Sequence, residues 1–148
     1  MRFAAALLAV AVLSACAKKE EPAPDSAAPA VAAATPTLAD FAGTWNVASV
    51  LEGTPDTVKS TLTGAPDGTW SMTLEGRPNI PVTASMSGDS LITQSAEYES
   101  VLRKGVQVTV RTAGVKSGDM LMGNLVATYK TASGEQVVNG TFTATKAP

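Results

Sequence analysis

Val106-Gln107-Val108-Thr109-Val110-Arg111 alternates apolar and polar side chains without a break. In an extended chain successive side chains point to opposite faces. This hexapeptide therefore lays its valines on one face and Gln, Thr and Arg on the other. A helix would scatter the same residues around its circumference. The period of two recurs in Trp70-Ser71-Met72-Thr73-Leu74-Glu75 and in Val138-Asn139-Gly140-Thr141-Phe142-Thr143-Ala144-Thr145. Turn clusters separate such segments: Glu52-Gly53-Thr54-Pro55-Asp56, Gly64-Ala65-Pro66-Asp67-Gly68, Gly76-Arg77-Pro78-Asn79, Ser87-Gly88-Asp89, Lys104-Gly105, Ser117-Gly118-Asp119 and Ser133-Gly134-Glu135. Their Gly, Pro, Asn and Asp supply the backbone angles that reverse a strand.

Worked outward from these stretches, the spacing predicts strands near 43–51, 57–63, 68–75, 80–87, 90–98, 100–115, 119–131 and 136–146. A single helical turn over Thr37–Phe41 leads in. Sequential strands joined by tight turns form an antiparallel meander, and closing it into a barrel removes the exposed edges. The expected fold class is all-β, an antiparallel up-and-down eight-stranded barrel. A two-sheet β-sandwich is the alternative, because strand spacing fits both. The residues expected to face inward are Trp45, Val47, Leu51, Val58, Leu62, Trp70, Met72, Leu74, Ile80, Val82, Met86, Ile92, Val106, Val108, Val110, Met122, Val126, Val138 and Phe142.

Gly43-Thr44-Trp45, at the first strand, resembles the Gly-x-Trp opening of lipocalins, fatty-acid-binding proteins and avidins. That resemblance implies a lipocalin-like, calycin-type barrel with Trp45 packed across its bottom. Gly68-Thr69-Trp70 repeats the tripeptide and Gly140-Thr141-Phe142 echoes it, where turn exit followed by core filling accounts for both. The chain departs from these families too. No Thr-Asp-Tyr motif of the lipocalin kind is present, and two Trp residues are too few for an avidin-type site. The architecture carries over and no binding residue does.

The N-terminal residues have a different character. Arg2 precedes an apolar run from Phe3 to Leu13, and Leu13-Ser14-Ala15-Cys16 follows. At about 11 residues the run is too short to span a bilayer, which takes roughly 20. Positive charge, apolar stretch, small residues and the chain's one Cys together resemble the lipobox of bacterial lipoproteins. The resemblance implies a signal peptide over 1–15 and diacylglyceryl attachment to the Cys16 thiol. It also implies an envelope location, with Ala17 rather than Asp favouring the outer membrane. Lipid would also remove the hazard of a free thiol in an oxidising compartment. Residues 16–37 place Pro22, Pro24, Pro29 and Pro36 amid Ala and a Lys18-Lys19-Glu20-Glu21 cluster. Prolines at this spacing forbid a continuous helix, so a disordered tether reaching roughly 60–70 Å is expected. The β-barrel domain then occupies 38–148.

The residue inventory narrows the chemistry. No His exists in the chain, which excludes Ser-His-Asp and Cys-His catalysis and any His-ligated metal. Glu97 and Glu99 share one strand parity, so they project side by side rather than across a substrate as glycosidase carboxylates must. The expectation is a protein that is not an enzyme and has no cofactor. A net charge of −2 with scattered basic residues leaves no nucleic-acid footprint. Met72, Met86, Met120 and Met122 raise Cu(I) binding by thioethers, but no His or Cys completes such a site, and Met is an ordinary core filler.

Two roles remain. An apolar cavity inside the barrel, lined by Trp45, Trp70, Met72, Met86, Val108, Met122 and Phe142, suits a lipid, a fatty acyl chain or a similar small hydrophobe. A packed barrel would instead be a structural or protein-interaction lipoprotein. For that role Glu97, Tyr98, Glu99, Arg103 and Lys104 are the contact candidates, and a solvated edge with salt bridges is the plainer account of them.

Overall fold

The computed structural model describes residues 34–148. The expected signal peptide, Cys16 and most of the expected tether lie outside the described residues. A one-turn helix, α1 (Leu38–Phe41), leads into β1 (Gly43–Leu51), β2 (Thr57–Gly64), β3 (Trp70–Thr73), β4 (Ile80–Ser87) and β5 (Ser90–Ser95). A two-residue strand, β6 (Tyr98–Glu99), precedes β7 (Gln107–Ser117), β8 (Met120–Thr131) and β9 (Gly134–Lys146). Among these described residues no helix is long and apolar enough to cross a membrane.

Every pairing is antiparallel, in the order β5-β4-β3-β2-β1-β9-β8-β7-β6, with β5 also paired to β7. That last ladder, from Ser90↔Val115 to Gln94↔Arg111, closes the sheet on itself, and β6 continues it along the same edge of β7 with Tyr98↔Val108 and Glu99↔Gln107. The result is a closed eight-stranded up-and-down barrel, and the sandwich is excluded.

Inward positions follow the alternation. Trp45 and Leu51 on β1, Leu62 on β2, Trp70 on β3, Ile80 and Val82 on β4, Val108 on β7 and Phe142 on β9 are buried. Parity differs from expectation on two strands. On β8 the buried residues are Leu121, Leu125, Ala127 and Tyr129, while Met122 is 45% exposed and Val126 shares its outer face. Cross-strand partners share a face, and β8 pairs Leu121 with Ala144, Gly123 with Phe142 and Leu125 with Gly140. A one-residue offset turns every side chain over, so Met122 could face inward only by turning Leu121 and Leu125 out. On β5 the buried set is Leu91, Thr93 and Ser95, which sends Ile92 to the outer face.

Strand limits differ at one place that matters. The expected strand over 100–115 is a turn through Gly105, and β7 begins only at Gln107. The Ser100 hydroxyl accepts the backbone N–H groups of Leu102 and Arg103, both at 3.1 Å, and Gly105 has φ +75°. A side-chain acceptor and a left-handed residue bend the chain where apolar alternation reads straight through.

The barrel ends are unlike. At the lower end, beside α1, Trp45 is fully buried and its indole N–H donates to the Phe41 carbonyl at 2.8 Å. This satisfies an orphan carbonyl of the helix and fixes the ring across the barrel floor. Lys116 Nζ donates to the Asp40 carbonyl at 2.8 Å, and Asp40 accepts the Thr37 N–H at 2.7 Å and hydroxyl at 2.8 Å. Those bonds from Thr37 hold the Asp40 carboxyl below its usual pKa. The upper end carries the long segment 96–106.

Candidate functional site

Two chambers lie inside the barrel, each of about 50 Å³. The upper one is walled by Leu51, Val58, Leu74, Val108, Leu125, Ala127 and Tyr129, and roofed by Tyr98, Ser100, Val101 and Leu102. The lower one is walled by Val47, Leu62, Val82, Leu121 and Phe142. Both share Ser49, Ser60, Met72 and Val110, which form the partition between them. No Asp, Glu, Lys or Arg lines either chamber. A larger concavity of about 560 Å³ lies outside the barrel, where Asn46, Lys59, Thr61, Glu75, Thr143 and Thr145 border an open trough. It encloses nothing.

The lower chamber is less apolar than the alternating valines suggest. Ser49, Ser60, Thr93, Ser95 and Thr112 all line it. Thr93 and Thr112 share a hydrogen bond between their hydroxyls at 2.6 Å, and Ser95 accepts the Val110 N–H at 2.9 Å. Sequence reasoning missed these five hydroxyls because it searched for apolar residues. Parity was the available signal: Ser49 shares a face with Val47 and Leu51, and Ser60 with Val58 and Leu62.

Segment 96–106 acts as a cover whose apolar side points down. Tyr98 and Leu102 pack against the core, and burial beside Tyr129 pushes the Tyr98 phenol up to about 12, partly offset by Arg77. The polar side is tied to three neighbouring elements. Arg77, after β3, donates to the Glu99 carbonyl, and Glu97 pairs with Lys130 of β8. Arg103 lies 4.2 Å from the Tyr129 ring centroid and donates to Gln136 Oε1 of β9 at 2.5 Å. Glu99 also accepts the Gly105 N–H at 2.9 Å, closing the segment on itself. These ties are solvent-exposed, so water screens them and each contributes little. Glu97 raises the pKa of Lys130, the direction expected of a paired ammonium.

The structure thus sorts the sequence candidates. Met72 and Val108 line the upper chamber, and Met72 and Phe142 the lower. Trp45, Trp70 and Met86 line neither: Trp45 is the floor, Trp70 lies over Gly64, and Met86 packs beside the core. Met122 faces outward, for the pairing reason given above. Met120 is exposed with it, so the four methionines divide between two faces and do not converge on a copper site. Glu97, Tyr98, Glu99 and Arg103 belong to the cover, with Lys104 exposed at its turn.

Neither a family model nor a curated protein matches the chain. Among solved structures, the crystal structure of a rhizavidin–biotin complex is similar over 72% of this chain and 92% of its own, at 12% identity and a TM-score of 0.45. At that identity and superposition the likeness assigns neither family nor ligand. The closed barrel rests on the strand pairing itself.

Proposed function

We propose that this chain is a non-enzymatic binding lipoprotein of the bacterial envelope. Its barrel takes up a small molecule through the upper end, and lipid on Cys16 holds it at a membrane. The observation that carries the reading is the pair of stacked chambers, parted by Met72 and Val110 and roofed by Tyr98 and Leu102. Met is the most adaptable apolar side chain, and a partition built on it gives way readily. The cover above is tied on its outer side by exposed polar contacts and one short ladder to β7, so lifting it costs mainly the burial of Tyr98, Ser100 and Leu102.

Chamber size favours a second reading. Pockets for drug-sized ligands run to about 300–1,000 Å³, and each chamber here is about 50 Å³. A barrel that never opens is a packed scaffold whose outer surface carries its role. Native mass spectrometry of protein purified from cells separates the two, read with Trp45 and Trp70 fluorescence during titration with small amphipathic molecules. A retained ligand mass or a saturable fluorescence change supports the binding reading. Absence of both refutes it. For the anchor, the expected result is detergent-phase partitioning that Cys16→Ala abolishes, and a full chain found in the aqueous phase with a titratable Cys16 thiol overturns it.

A further inference from the structure

Resting on the interior-binding reading, we infer that the lower chamber selects an uncharged, hydrogen-bonding head group and rejects a carboxylate. Its hydroxyls come from opposite walls. Around the ring β1-β2-β3-β4-β5-β7-β8-β9, the pair β1 and β2 stands across the lumen from β5 and β7. Ser49 and Ser60 come from the first pair, and Thr93, Ser95 and Thr112 from the second. The two walls differ in what they have to offer. Thr93 and Thr112 are held to each other by one hydrogen bond and Ser95 already accepts the Val110 N–H, which leaves one threonine O–H and the Ser95 O–H to donate. Ser49 and Ser60, diagonal neighbours in the β1–β2 ladder, make no side-chain hydrogen bond to another described residue and, as part of the partition, border the lower chamber and the upper one.

A chamber meant for hydrocarbon alone would leave such groups unpaired on binding, a cost that a hydrogen-bonding head avoids. A hydroxyl donates and accepts, so two open ones match a head that does both, such as a primary amide or an alcohol. An ionised head is disfavoured for a separate reason: no cationic side chain lines the chamber to offset the loss of hydration. The fatty acid expected of an apolar barrel is therefore the wrong ligand here. A short neutral amphiphile matches the lining, with its head at Ser49 and Ser60 and its apolar end against Leu62, Leu121 or Phe142, and it enters by displacing Met72, since the chamber alone measures about 50 Å³.

The test uses the full chain in detergent, with ¹³C-methyl methionine as reporter and the Met72 signal assigned by Met72→Leu. Butanamide, butyrate and benzene are titrated at neutral pH. Butanamide is expected to shift Met72 saturably and to bind at least about tenfold more tightly than butyrate. Ser49→Ala with Ser60→Ala is expected to lower butanamide affinity about three- to tenfold and to leave benzene within about twofold. Butyrate binding as well as butanamide overturns the inference. So does benzene binding accompanied by an amide affinity indifferent to both serines, and either result leaves the interior-binding reading standing. A Met72 signal that none of the three probes moves overturns that reading itself.

Discussion

Met72→Ala removes the γ-methylene, sulfur and methyl that, with Val110, part the two chambers. Truncating a buried Met to Ala costs about 2–5 kcal/mol, from lost transfer energy and the cavity left behind. Met72 is only partly buried and already borders empty space on both sides, so its packing contacts are fewer than a sealed core residue makes. The cost belongs at the low end, about 2 kcal/mol. The gain is one continuous lumen in place of two chambers of about 50 Å³ each. An apolar cavity of about 150 Å³ binds benzene in other proteins, and a ligand that binds only the folded state raises stability by mass action. Urea unfolding followed by Trp fluorescence is expected to show the loss, and the variant is expected to recover more stability than the parent when benzene is added. A variant as stable as the parent, or one whose response to benzene matches the parent's, refutes the partition.

Three further outcomes follow from the geometry. Burial holds the Tyr98 phenol near about 12 in the fold against 10.0 unperturbed, so the folded state binds the extra proton. The associated stability is complete below pH 10 and is lost as pH rises through about 12, to a ceiling of about 2–3 kcal/mol. Urea midpoints across that window are expected to fall in the parent and stay flatter in Tyr98→Phe. Gly64→Ala places a Cβ within 2.4 Å of the Trp70 ring, its partner across the β2–β3 ladder. A loss of about 2–4 kcal/mol in chemical denaturation is expected, with part of it recovered when Trp70→Leu is added. Trp45→Phe strands the buried Phe41 carbonyl that the indole now satisfies. It is expected to cost about 2–4 kcal/mol and to speed hydrogen exchange in α1 before the rest of the barrel.

Local alternation and turn chemistry carried most of the fold. Each barrel strand was legible because one face had to be apolar, and the turns because only certain residues reverse a strand. Trp45 as the floor came from the resemblance of Gly43-Thr44-Trp45 to a Gly-x-Trp barrel opening, and it displaces the expectation that Trp45 lines a cavity. Reading failed where alternation was ambiguous. Met120-Leu121-Met122 is apolar at three consecutive positions, so either parity satisfied the pattern. The polar residues Asn124 and Lys130 on the Met122 parity were the discriminating signal. Ser100 to Gly105 read as strand because Val101-Leu102 is apolar, while its bend depends on the Ser100 side chain reaching back to two backbone N–H groups.

Taken alone, the sequence determined which residues alternate and where the chain turns. These are local properties, set by covalent spacing and backbone sterics. Tertiary structure alone decided which residues meet where β1 joins β9, that Met122 looks outward, and that the cover comes down over the lumen. It also decided that hydroxyls from four strands converge on one chamber. The period of a strand states that a side chain faces in, but what it faces is set by strands far along the chain, through pairings that only the closed ladder fixes.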